Sequence, residues 1–324
     1  MRETMEHGQS SWSWHASIGT VVAVSILYSI LIGPSANSGK SAQGADKQTP
    51  PSFEPEVAVQ TDDYGEVRKT FRTKLSRRGP APQKEPMIAP PAGVSAVEFP
   101  SGELRLKAWV NAPQADDSMK RPAVVFLHGG FGFGKDDWDM TKPYRDSGYV
   151  VLAPVLRGEN GQAGVFSLFY DEVDDALAAG EYLFKQPYVD GKRLFVAGHS
   201  VGGTLALLAA EASNRFRAAA TFSASPDQIL YCRYGIRKES IPFDTGMARE
   251  LQVRSPLAYA QSFKCPVRLY YGTAEKHFEK TTRRTAAVAK GKGLDVEAAA
   301  IEGSHMTAVP EAMKQSIAFF EKRR

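Results

Sequence analysis

Apolar residues fall along this chain in short blocks with polar stretches between them. Val94–Phe99 and Leu104–Val110 mix apolar and polar positions on either side of Pro100-Ser101-Gly102-Glu103, which predicts a hairpin. Ala123–Leu127 is apolar throughout, the pattern of a central strand covered on both faces. Further strands are predicted at Tyr149–Pro154, Leu194–Ala197, Ala218–Phe222, Val267–Tyr271 and Val296–Ile301. Helical patterns lie between them, at Thr141–Ser147, Glu172–Lys185, Val201–Ser213, Lys280–Lys290 and Pro310–Lys322. Strands alternating with helices predict an α/β fold, a mostly parallel central sheet with helices on both faces, over residues 93–324. One long irregular stretch, 223–255, interrupts the alternation and is a candidate lid.

The front of the chain follows a different pattern. Residues 1–15 are polar. From Ala16 to Gly39 there is no charge, and Ile18 to Ile32 is largely apolar. An apolar run of about 18 residues is near the lower limit for crossing a bilayer. Residues 16–33 are therefore expected to form an uncleaved signal anchor, making the chain single-pass with its folded domain outside the cytoplasm. The alternative is a cleaved signal peptide and a secreted or periplasmic protein. The best cleavage site follows Ala36, but Pro34 occupies the third position upstream, which is unfavourable. Residues 34–92 are expected to be a tether with a basic stretch. Gly33–Pro55 is rich in Ser, Gly, Ala, Pro and Gln. Val67, Phe71 and Leu75 recur at helical spacing among many Lys and Arg, either a solvated basic face or a surface for anionic headgroups. Pro80, Pro82, Pro86, Pro90 and Pro91 end any regular element.

Composition changes this picture little. The 324 residues carry a formal charge of +4, too small to argue for a nucleic-acid partner. Mean hydropathy is −0.31, ordinary for a soluble domain. The histidines are scattered, no metal-ligand spacing emerges, and nothing calls for a cofactor. Cys232 lies in the insertion and Cys265 before a strand. A disulfide pinning the lid and two unpaired thiols are both open.

The chemistry concentrates at Gly198-His199-Ser200-Val201-Gly202, set between a strand and a helix. That context makes Ser200 the candidate nucleophile on a sharp, strained turn. A serine hydroxyl needs a base, and the base needs an orienting acid. His305, just past the last predicted strand, is the candidate base. Glu275, in the loop after Val267–Tyr271, is the candidate acid, and Asp227 in the preceding loop competes with it. Oxyanion donors are expected at the N–H of Val201 and in the His128-Gly129-Gly130-Phe131 turn, from Gly130 or Phe131. Phe133, Trp138 and Tyr231 are candidate pocket residues.

Together the stretches His128-Gly129-Gly130, Arg157-Gly158-Glu159-Asn160-Gly161, Val189-Asp190-Gly191-Lys192-Arg193-Leu194, Gly198-His199-Ser200-Val201-Gly202-Gly203, Arg254-Ser255-Pro256-Leu257, Tyr271-Gly272-Thr273-Ala274-Glu275 and Gly303-Ser304-His305 resemble the catalytic domain of the prolyl oligopeptidase family of α/β-hydrolases. The resemblance implies Ser200 as nucleophile, Glu275 as acid and His305 as base, although the family usually carries Asp as the acid. Dienelactone hydrolases are similar in outline but typically use Cys as nucleophile. Large family members place a β-propeller before the catalytic domain. At about 40–50 residues per blade, none is expected in the stretch before Gly93, so dipeptidyl peptidase activity has no basis in the sequence. The expected activity is hydrolysis of a small peptide or ester through an acyl-enzyme, by a serine peptidase or a carboxylesterase. The contrasting reading is an anchored binding module that has lost catalysis.

Overall fold

The computed structural model describes residues 56–113 and 119–323. The apolar segment 16–33 and the residues just after it lie outside these ranges. Among the described residues no helix is long and apolar enough to cross a membrane.

The strands are β1 (Ser95–Ser101), β2 (Leu104–Val110), β3 (Arg121–Leu127), β4 (Val150–Pro154), β5 (Val189–His199), β6 (Ala219–Phe222), β7 (Val267–Gly272) and β8 (Val296–Ile301). They form one sheet in the order β1-β2-β4-β3-β5-β6-β7-β8. The first two neighbour pairs are antiparallel, and β4, β3, β5, β6, β7 and β8 run parallel. Each predicted strand is present. β5 extends beyond its apolar half because Asp190–Arg193 also lies in it, where polar side chains hid the extension.

The helices are α1 (Tyr64–Thr70), α2 (Lys135–Met140), α3 (Lys142–Asp146), α4 (Glu172–Phe184), α5 (Val201–Ala212), α6 (Gln228–Leu230), α7 (Ala248–Gln252), α8 (Lys276–Gly291) and α9 (Val309–Glu321). The two-residue period of β3 divides the core between them. Ala123, Val125 and Leu127 point to the side covered by α1, α4, α5 and α8. Val124 and Phe126 point to the side of α2, α3 and α9. Phe195 of β5 stacks on Phe320 of α9 with ring centres 4.3 Å apart. Because the chain passes from β3 out to β4 and back to β5, the loops leaving β3 and β5 open side by side at the carboxyl edge of the sheet. Ligands bind at such a switch point in open α/β sheets.

The tether expected over 34–92 is corrected for residues 57–81. Val57, Tyr64 and Val67 are buried in the main core. The Tyr64 hydroxyl donates to the Val253 carbonyl at 2.8 Å, and Thr73 Oγ1 donates to Glu250 at 2.8 Å. The Ala81 amide donates to Gly158 O at 2.9 Å. Its many charges, and the prolines that begin at Pro80, made this stretch read as a linker, yet its few apolar residues join the main core and its polar groups find acceptors on distant loops. The helix over 64–70 is shorter than the apolar recurrence to Leu75 suggests, since the backbone turns extended at Phe71. Arg68 is committed to the fold through Asp174 at 2.6 Å and Tyr170 O at 2.8 Å.

Insertion 223–255 holds α6, a turn of π-helix at Tyr231–Gly235, a 3₁₀ turn at Lys238–Ser240 and α7. The N-terminal segment packs on it, with Ser76 N–H donating to Pro242 O at 2.8 Å and Leu75 bridging to Phe243. Arg254 is fully buried, with Glu250 at 2.5 Å and the Phe243 ring 4.0 Å away. Cys232 and Cys265 are both free thiols, and burial pushes each up to about 12. The disulfide reading therefore falls.

Candidate active site

The elbow after β5 places Ser200 at φ 54° and ψ −116°, outside the regions that L-residues favour. The surroundings enforce it. A Cβ on Gly198 would lie 2.2 Å from Gly202 O, and one on Gly202 would lie 2.1 Å from Leu127 O. The Ser200 amide donates to Phe222 O at 2.8 Å, and its carbonyl accepts from Thr204 N at 3.1 Å. The backbone is thus pinned while the side chain stays half-buried. Val201 is the first residue of α5, so its N–H has no acceptor within the helix and lies at the positive end of the helix dipole.

Beyond β7 and β8, Glu275 and His305 meet. Glu275 Oε1 lies 2.6 Å from His305 Nδ1. Its Oε2 accepts from the Gly272 amide at 2.8 Å and from Ser223 Oγ at 2.5 Å. Burial would raise this carboxyl, but the hydrogen bonds from His305, Ser223 and Gly272 outweigh it and hold the group below its ordinary range. An ionised Glu275 fixes the proton of His305 on Nδ1 and leaves Nε2 with a free lone pair. Asp227 does none of this. It caps α6, accepting from Val57, Ile229 and Leu230 amides, and burial raises its carboxyl. Of the two candidate acids, Glu275 is the one beside the histidine.

His199 packs on His305 with ring centres 4.7 Å apart, and its Nε2–H donates to the His305 carbonyl at 3.1 Å. Burial, reinforced by His305, lowers His199 to about 4, so it stays neutral. Ser200 Oγ and His305 Nε2 are not hydrogen-bonded to each other here.

The loop after β3 completes the arrangement. Gly129 abuts the elbow: a Cβ there would lie 3.6 Å from the Ser200 Cβ and 3.0 Å from His199 Nδ1. His128 is buried, with Nε2 2.9 Å from Glu159 and Nδ1 3.0 Å from Gly129 O. Both nitrogens face acceptors, so the ring is an imidazolium. Burial alone would lower its pKa, but the Glu159 carboxylate beside it raises it to about 9. Asn160 accepts from Phe133 N at 2.8 Å and donates to Phe133 O at 2.8 Å and Pro86 O at 3.0 Å. The Arg157–Gly161 motif therefore braces the glycine loop, a role its sequence alone did not disclose. The Phe131 amide donates to Gln83 Oε1.

Two pocket candidates are corrected. Phe133 and Trp138 are buried with Trp109, whose ring lies 5.0 Å and 6.0 Å from theirs, so they belong to the core. Tyr231 is half-buried and meets Phe169 at 5.5 Å; Phe131 lies 6.4 Å from Phe169 and 5.1 Å from Phe166. An aromatic row thus borders the loop. Phe166, Phe169, Ser223 and Gln83 escaped the sequence reading because each reaches the site from a segment without a recognisable motif. Among the described residues no group of three or more His, Cys, Asp or Glu is placed to hold a metal.

The sequence profile described as the Prolyl oligopeptidase family matches residues 137–321, more than half of the chain. The chain belongs to that family. Among its relatives is a probable dipeptidyl-peptidase 5 of Aspergillus clavatus, 34% identical over 128 residues, covering 35% of this chain and 17% of that protein. The chain therefore matches only a minor part of that longer relative. Among solved structures, Pyrococcus horikoshii acylaminoacyl peptidase superposes with a TM-score of 0.60 at 22% identity, over 71% of this chain and 41% of that one. An esterase from Thermogutta terrifontis gives 0.56 at 20% identity, over 71% and 92%. These two likenesses show the α/β-hydrolase fold.

Proposed function

We propose that this member of the prolyl oligopeptidase family is a serine hydrolase that cleaves small peptides, amides or esters through an acyl-enzyme. The observation that carries the reading is the 2.6 Å contact between Glu275 and His305 on loops beside the strained Ser200 elbow. Ser200 attacks the acyl carbon. His305 Nε2 takes the hydroxyl proton and later gives it to the leaving group, while Glu275 steadies the resulting imidazolium. The oxyanion is held by the N–H of Val201 and by one from Gly130 or Phe131. The Ser200–His305 hydrogen bond forms as substrate settles, since such bonds are often loose in the free enzyme.

Peptides are the first substrate class to try, in view of the peptidases among the relatives. An ester substrate is the second reading, favoured by the esterase that matches over nearly its whole length. The test is labelling by a fluorophosphonate, followed by a panel of peptide amides and acyl esters. Labelling of the wild type that disappears in Ser200→Ala is expected. A folded wild type that never reacts would favour the binding-module reading instead.

The same proposal places the enzyme at a membrane through residues 16–33. Full-length protein should stay with membranes washed in alkaline carbonate; release into the wash would argue for a cleaved leader.

A further inference from the structure

Residues 79–86 cross the loop that follows β3, held at both ends. Gly79 O accepts from Phe166 N at 3.0 Å, the Ala81 amide donates to Gly158 O at 2.9 Å, and Pro86 O accepts from Asn160 Nδ2 at 3.0 Å. Between these anchors the backbone of 82–85 makes no hydrogen bond to another described residue, and the span lies against the loop. A Cβ on Gly130 would meet Gln83 Oε1 at 2.6 Å, and one on Gly132 would meet Glu85 Cγ at 2.8 Å. Gln83 Oε1 takes the Phe131 N–H, one of the two loop amides proposed above as the second oxyanion donor, and it also lies against Gly130, the other.

We propose that Gln83 is an internal competitor for the oxyanion site, so that substrate must displace its carboxamide before the acyl carbon can be activated. The inference rests on the serine-hydrolase reading. An amide N–H carries one proton, and it cannot be well aligned to Gln83 and to an oxyanion at once. The occupant is itself an amide carbonyl, the group a peptide substrate presents. The arch between two anchors can lift without unfolding either end.

The experiment uses the full chain as wild type, Gln83→Ala and Gln83→Glu. The second-order rate of fluorophosphonate labelling is measured for each, beside thermal unfolding. Removing one neutral hydrogen bond from the resting state should speed Gln83→Ala by about 3- to 10-fold. The charged acceptor in Gln83→Glu should bind the Phe131 amide more tightly and slow labelling. Labelling of Gln83→Ala at or below the wild-type rate, or of Gln83→Glu at or above it, overturns the competitor while leaving the serine-hydrolase reading intact. No Ser200-dependent adduct in any of the proteins overturns both.

Discussion

Replacing Glu275 with glutamine removes a charge while keeping nearly the same volume, so it isolates what the carboxylate does. Its oxygens receive three donors: Gly272 N–H and Ser223 O–H on Oε2, and His305 Nδ1–H on Oε1. Glutamine has one oxygen. The Gly272 amide is fixed in the backbone and cannot turn away, so the new carbonyl must stay at the Oε2 position. A buried amide without an acceptor would otherwise cost about 1–3 kcal/mol. The NH₂ group is then left facing His305 Nδ1, which has to become an acceptor. The imidazole proton moves to Nε2, where the ring can no longer take the proton of Ser200. A histidine locked in the wrong tautomer by this kind of change loses about 10⁴-fold in kcat in the well-studied serine proteases. We therefore expect a fall of about 10³- to 10⁴-fold here, or roughly 4–5.5 kcal/mol of barrier. The assay is initial rates on an activated acyl ester, with kcat and KM resolved, beside thermal unfolding of both proteins. KM should change little, because the carboxylate does not touch substrate. A kcat within about threefold of wild type in a folded Glu275→Gln would refute the tautomer argument and reopen the choice of acid.

Other outcomes follow from the same geometry. His128 has its pKa raised on folding, so its contribution to stability is complete below the unfolded value of about 6.5 and is lost as pH rises through about 9. Thermal stability should therefore fall between about pH 7 and pH 10, and the slope should flatten in His128→Gln; an identical slope in both would dismiss the charged pair with Glu159. Gly202→Ala drives a Cβ to 2.1 Å from one carbonyl oxygen and 2.4 Å from the next, both backbone. A loss of more than about 4 kcal/mol in urea denaturation is expected, whereas Gly291→Ala, with nothing within 4 Å, should change stability by about 1 kcal/mol or less. Similar midpoints for the two variants would show that the elbow tolerates a side chain.

Much of this protein follows from local pattern. A solid apolar run as short as Ala123–Leu127 specifies a buried strand, because five residues span a covered sheet but are too few for a buried helix. Ser200 and His305 could be named as candidates because a glycine-flanked turn between strand and helix, and a histidine just past the last strand, each carry their context in neighbouring residues. The choice between Glu275 and Asp227 was not readable. Both follow strands, and only the three-dimensional paths of their loops put one beside His305 and the other on backbone amides of α6 and Val57. The same limit applies to Phe133 and Trp138. An aromatic next to a glycine loop looks alike in sequence whether it faces a cleft or the core, and packing against Trp109 decided it. Residues 57–81 show the limit most plainly. Their composition is that of a linker, and their order comes from acceptors supplied by Gly158, Val253 and Glu250, far along the chain. Local sequence determines which segments fold and which side chains have the right chemistry. Which groups meet is decided by long-range closure, whose geometry no short stretch encodes.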